Sequence, residues 1–355
     1  MNNKKIIIIA VVAVVLVAAI VLGVVLLGGE KAPVEKEYKL GMGIVTSLDS
    51  SADGAAQVDA TVATVVLDAE GKIVLCRLDA VQNKATVANG TLTITNLKTK
   101  MELGDNYNMA KYGQSMDWNG DGVVKEWYDQ AKAFENYVVG MTVAQVEAIA
   151  TKVVEGAGYV IAADEALLSA GCTIQITDFK AAVAKACKDE QGVSFKTAGT
   201  FTLGVAADSF DSESTATSVK MHADFAASVV AEGKILASLN DAIQPEITFN
   251  EDGTLAEKKF SATKRELKED YNMAKYGQSM DWNNDGKVLE WYLQSQAFSA
   301  HVVGMTGEQV AAMPTKTVEG AGYVISADDA LLSAGCTIQI TSIKTVVAES
   351  VTNAR

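Results

Sequence analysis

Apolar residues fall into three patterns along this chain. An unbroken run, Ile6–Leu27, follows the polar start "MNNKK". As a helix rising ~1.5 Å per residue it would span ~33 Å, about the hydrocarbon thickness of a bilayer. The run ends at Leu27-Gly28-Gly29, a poor cleavage site, so an uncleaved anchor is expected ahead of a cleaved signal. Lys4 and Lys5 would stay cytoplasmic and the rest of the chain would lie outside the cytoplasm.

The second pattern alternates. Val58, Ala60, Val62, Thr64 and Val66 share one face of a strand. The chain turns at Glu70-Gly71 and returns through Ile73 to Leu78, which predicts a hairpin. Asn89-Gly90 and Asp252-Gly253 mark further hairpin turns. Over residues 205–230 the alternation weakens.

The third pattern is helical. Val124, Trp127, Tyr128, Ala131, Phe134 and Val138 recur at three- and four-residue steps from Val123 on. Thr142 with Gln145 forms a capping box for a short second helix. A third helix after Asp178 would face Phe179, Val183 and Ala186 inward.

These patterns occur twice. "YNMAKYGQSMDW" stands at 107–118 and 271–282, "VEGAGYVI" at 154–161 and 318–325, and "ALLSAGCTIQIT" at 166–177 and 330–341, with one constant offset. "DAEGKIVLCRLDAVQ" at 68–82 answers "VAEGKILASLNDAIQ" at 230–244. The expectation is an α+β fold: two tandem homologous domains, antiparallel strands followed by helices, at 35–190 and 191–355, behind an N-terminal anchor at 1–30.

Composition narrows the function. Net charge is −14, which disfavours nucleic-acid partners because phosphate binding needs a basic surface. The two histidines, His222 and His301, are not repeat equivalents, so neither a His-rich zinc site nor a duplicated His-based triad is supported. Of four cysteines, Cys172 and Cys336 are repeat equivalents among small and apolar residues and read as buried thiols.

Two motifs carry candidate chemistry. "SMDWNGDGVVKEWY" and "SMDWNNDGKVLEWY" place short oxygen-bearing side chains at alternate positions before a glycine. Asp117, Asn119, Asp121 and the carbonyl of Val123, with Asp281, Asn283, Asp285 and the carbonyl of Lys287, fill EF-hand places 1, 3, 5 and 7. Place 12 is Tyr128 or Tyr292 rather than a bidentate Glu, and Glu126 and Glu290 sit two residues early. Calcium loops and Asx turns that cap the following helix both fit.

The second motif is "SAGCTIQIT", preceded in each unit by a Gly-Lys-Ile hairpin. Together they resemble the FMN-binding domain family of exported and membrane-anchored bacterial proteins. Gly171-Cys172-Thr173 and Gly335-Cys336-Thr337 match the end of that family's Gly-Ala-Thr motif, with Cys for Ala. The family's preceding Ser or Thr is Ala170 or Ala334, and its Asp is Leu167 or Leu331. The resemblance implies an extracytoplasmic flavin carrier in electron transfer, with FMN joined to Thr173 and Thr337. The alternative is a non-catalytic surface or scaffold protein stabilised by calcium. No acid–base pair, activated nucleophile or phosphate loop marks an enzyme.

Overall fold

The computed structural model describes residues 34–355 apart from 89–90, 96, 118–119, 157, 282–285 and 320–321. The apolar run at Ile6–Leu27 and the turn at Asn89-Gly90 lie outside the described residues. No helix among those described is long and apolar enough to cross a membrane.

Four antiparallel strands open the described part of the chain: β1 (Lys36–Ser47), β2 (Ala55–Leu67), β3 (Ile73–Ala88) and the shorter β4 (Thr91–Thr95). The β2–β3 hairpin turns at Gly71, whose φ of +74° suits a residue without a Cβ. A fifth strand, β7 (Val193–Thr197), comes from beyond residue 191 yet pairs with β1, giving the order β4-β3-β2-β1-β7. The second repeat contributes β8 (Thr202–Asp208), β11 (Ala223–Ala231) and β12 (Lys234–Ile243), ordered β12-β11-β8. A smaller sheet holds β9 (Glu213–Ser214), β10 (Ser218–Lys220), β13 (Glu246–Phe249) and β14 (Leu255–Lys259).

The two repeats share one core. Leu40, Met42, Ile44, Val58, Ala60 and Val62 of the first sheet pack in the same cluster as Val205, Phe225, Val229, Leu239 and Ile247 of the second repeat. The opposite faces carry helices. Ala63, Val65 and Leu78 meet Phe134 of α2 (Trp127–Tyr137) and Phe179 and Val183 of α5 (Thr177–Cys187). Ala206, Ala226 and Ala242 meet Phe298 of α7 (Trp291–His301) and Val346 and Val347 of α10 (Thr341–Thr352). The order of layers is helix, sheet, sheet, helix.

This corrects the expected α+β fold of two tandem domains; the transmembrane helix expected ahead of them falls outside the described residues. Sheet accounts for 34% of the described residues and helix for 29%, and the sheets of the two repeats close on each other instead of each sealing a domain. The reason is double-sided apolarity. β11 is buried at every position but its last, so helices on one face leave a second apolar face that only another sheet can cover. The same burial explains the weak alternation over 205–230. Strands and helices are also not segregated: the hairpin β5 (Thr151–Val153) and β6 (Val160–Ala162) interrupts the first set of helices, and β15 (Thr315–Thr317) with β16 (Val324–Ser326) interrupts the second.

Glycine sets the spacing between sheet and helix. A Cβ at Gly41 would run into the Ala186 carbonyl of α5, and one at Gly204 into the Ser350 carbonyl of α10. The helices therefore ride directly on β1 and β8.

The predicted helix from Val123 begins instead at Trp127, because Glu126 is an extended N-cap with ψ of 160°. The capping box at Thr142 forms as expected and opens α3 (Val143–Glu147). Three further short helices have the same cap chemistry: α1 (Lys100–Leu103) after Thr99, α6 (Lys264–Leu267) after Thr263 and α8 (Gly307–Ala311) after Thr306. The remaining helices are α4 (Glu165–Ser169) and α9 (Asp329–Ser333).

Candidate functional site

The loop after Ser115 is held by its own first aspartate. The Asp117 carboxylate accepts from the amides of Gly120 (2.8 Å), Asp121 (3.1 Å) and Gly122 (2.7 Å). Asp121 accepts from the Val123 amide at 2.8 Å. Asp281 takes the Gly286 amide at 2.7 Å in the second copy, where Lys287 is exposed. Asn119, Asn283 and Asp285 lie outside the described residues. The described contacts are those of Asx turns. Glu126 and Glu290 turn inward, accepting the Met109 and Met273 amides at 2.9 and 2.8 Å. They pin the paired 3₁₀ turns of the repeated "YNMAKYG" segment.

Thr173 and Thr337 are each 2% exposed. Thr173 Oγ1 lies 2.9 Å from Ser115 Oγ, accepts the Met116 amide at 3.2 Å and donates to the Met116 carbonyl at 3.0 Å. Thr337 repeats these contacts with Ser279 and Met280. The two sequence motifs thus meet, since Met116 immediately precedes Asp117. A buried, fully bonded hydroxyl does not fit an FMN phosphoester, which needs room for a phosphate and an exposed oxygen.

The hub of this clasp is Gln130, with Gln294 in the second copy; the motif reading missed both. Gln130 Oε1 accepts the Thr173 and Ile174 amides at 2.8 and 3.0 Å, and its Nε2 donates to Ser115 Oγ and the Lys125 carbonyl, both at 2.7 Å. The available signal was a repeated glutamine on the apolar face between Trp127 and Phe134.

A second duplicated feature lies upstream. Lys100 Nζ stands 5.0 Å from the Tyr107 ring and 5.6 Å from Trp127. Lys264 Nζ stands 5.3 Å from both Tyr271 and Trp291. These are cation–π distances. Burial lowers both lysine pKa values, against the pull of nearby carboxylates. The sequence signal was Thr-Lys-x-Glu-Leu at 99–103 and 263–267. Asp79 backs the first box: burial pushes its carboxyl up to about 7, although the amides of Ala80 and Met101 oppose the shift. Asp241 is its counterpart, raised by burial and held down chiefly by Arg265. The second copy alone adds a histidine. His222 Nε2 is 3.2 Å from Lys264 Nζ and 3.7 Å from Asp224 Oδ2.

A cleft of about 770 Å³ opens where α5 faces α6 and the strand end at Asp241. Its floor is Met42, Ile44 and Ala184, and its rim carries Lys180, Lys188 and Lys268. Arg265 crosses it, bonding both oxygens of Asp189 at 3.2 Å, while Lys185 pairs with Glu266 at 2.7 Å.

All four cysteines are free. Cys172 and Cys336 are buried, and burial pushes each thiol up to about 12, so neither is a ready nucleophile.

No family model, no curated protein and no solved structure matches this chain.

Proposed function

We propose that the protein is a non-catalytic binding protein that holds a small ligand in the cleft between its two repeats. The observation that carries this reading is the cleft itself: about 770 Å³, with an apolar floor and a polar rim, the size and make-up of a small-molecule site. Its inner charges are committed to one another, as in Arg265 with Asp189 and Lys185 with Glu266. That pairing supports binding over acid–base chemistry. The floor suits a flat apolar body, and Lys268 suits an anionic group on it, whereas Lys188 is paired with Glu147 and Lys180 donates to the Ile149 carbonyl. Flavin mononucleotide, expected from the family resemblance, is the first compound to test, as a noncovalent ligand. Membrane association and an extracytoplasmic location belong to the same proposal and rest on the apolar run Ile6–Leu27 alone.

The test is thermal unfolding with added FMN and with a panel of aromatic carboxylates and phosphates. A ligand at one hundred times its Kd adds about 2.7 kcal/mol. Ala181 is an exposed residue on the cleft wall, so Ala181→Trp fills the opening without entering the core. A shift in the parent that disappears in Ala181→Trp supports the cleft. A shift of full size in the variant moves the ligand elsewhere and overturns the reading.

A further inference from the structure

Lys264 is a buried cation with no conventional partner. Its residue is 6% exposed, and among the described residues no carboxylate lies within salt-bridge distance of Nζ. A buried ammonium without an ion pair is costly, and losing its proton relieves that cost. Among the described residues, Nζ makes a hydrogen-bonding contact with His222 Nε2, at 3.2 Å. Two cations would not share that distance, so the imidazole presents a lone pair to the amine. Burial first, and then Lys264, hold His222 well below the usual histidine range. Around the pair stand Asp211, Asp224, Asp241 and Tyr271, with Asp224 pushed by burial up to about 7. The group lines a pocket of about 300 Å³ that is separate from the large cleft.

We infer that Lys264 is a carbonyl-reactive amine whose pocket takes a small aldehyde and holds it as an imine between Tyr271 and Trp291. His222 accepts the proton that frees the amine. The Nζ lone pair then forms a bond to the carbonyl carbon, the carbonyl π pair moves to oxygen, and one of the two Nζ protons passes to that oxygen. The resulting carbinolamine loses its hydroxyl as water by taking back the proton held on His222. The nitrogen gives up its remaining proton as the C=N bond closes. One aldehyde and one amine become one imine and one water, with no change of oxidation state.

The first repeat supplies the control. Lys100 occupies the same aromatic box, but the chain's one other histidine, His301, is not its neighbour in sequence or in repeat position. Aldehyde reactivity should therefore belong to Lys264 and not to Lys100.

The experiment treats the full chain with acetaldehyde and sodium cyanoborohydride at pH 7 and locates N-ethyl-lysine by peptide mass spectrometry. A lowered pKa raises the free-amine fraction at that pH, so Lys264 is expected to react several-fold faster than exposed Lys72 and Lys98, and faster than Lys100. Equal rates at Lys264 and the exposed lysines overturn the inference. His222→Gln should slow Lys264 toward the rate of Lys100 in protein whose circular dichroism is unchanged; an unaltered rate removes His222 from the step. Where that variant does not fold, the comparison of Lys264 with Lys100 inside the parent chain decides.

Discussion

Replacing Gln130 with alanine tests the clasp most directly. The side chain is wholly buried and makes four short hydrogen bonds, two accepted from the amides of Thr173 and Ile174 and two donated to Ser115 and the Lys125 carbonyl. Ser115 keeps Thr173 as a partner. The two amides and the carbonyl lose theirs. A buried group left unsatisfied costs about 1–3 kcal/mol, so the two amides alone give about 2–6 kcal/mol. The vacated volume adjoins an exposed loop, so water can re-bond part of it and the lower half of that range is expected. About 3 kcal/mol is a large part of the ~5–15 kcal/mol that holds a typical domain together. The assay is urea unfolding followed by tryptophan fluorescence, since Trp127 sits one turn from the substitution. A lower midpoint with an unchanged slope reports lost stability rather than a changed unfolded state. Gln294→Ala should match it, and the shared core predicts one transition for the parent and for both variants. A change below about 0.5 kcal/mol, the size of an ordinary surface substitution, would refute the reasoning. Two separated transitions would refute the common core.

Two further outcomes follow from the carboxylates. Asp79 and Asp224 have folded pKa values raised from 3.8 to about 7, so the folded state binds protons that the unfolded state has released. Their contribution is full below the unfolded value and is lost as pH rises toward 7, by about 4 kcal/mol for each group on the scale of 1.36 kcal/mol per pKa unit. Melting temperature should accordingly fall between pH 4 and 7, and Asp79→Asn should flatten that slope; a slope unchanged in the variant contradicts the assignment. Calcium should leave the melting temperature unmoved, because three loop amides already occupy the Asp117 carboxylate and loop place 12 is tyrosine. A calcium-dependent rise that is abolished by Asp117→Ala with Asp281→Ala would restore the cation-binding reading.

Much of the local structure could be read from residue order. The even positions of β2 from Val58 to Val66 do share one buried face, Thr142 does cap a helix, and Phe179 and Val183 do face inward. The clasp was half legible. Thr173 stood out for its motif, but its flavin role came from a resemblance, and Gln130, 43 residues away, carries the contacts that define it. His222 and Lys264 are 42 residues apart and meet because His222 leads into β11, β11 pairs with β12, and α6 packs on β12. Nothing in either stretch alone announces the other.

The chain by itself determined the duplicated elements, their caps and turns, and which strand faces are apolar, because these depend on neighbours one to four residues away. It also determined that the strands are apolar on both sides. Only the tertiary structure decided what covers the second side: the sheet of the other repeat, with β7 crossing over to pair with β1. That choice creates the cleft, since its walls belong to α5 of one repeat and α6 of the other. Burial of a face is written in the residues that form it, whereas the identity of the covering surface is settled by which long-range closure removes the most apolar area from water.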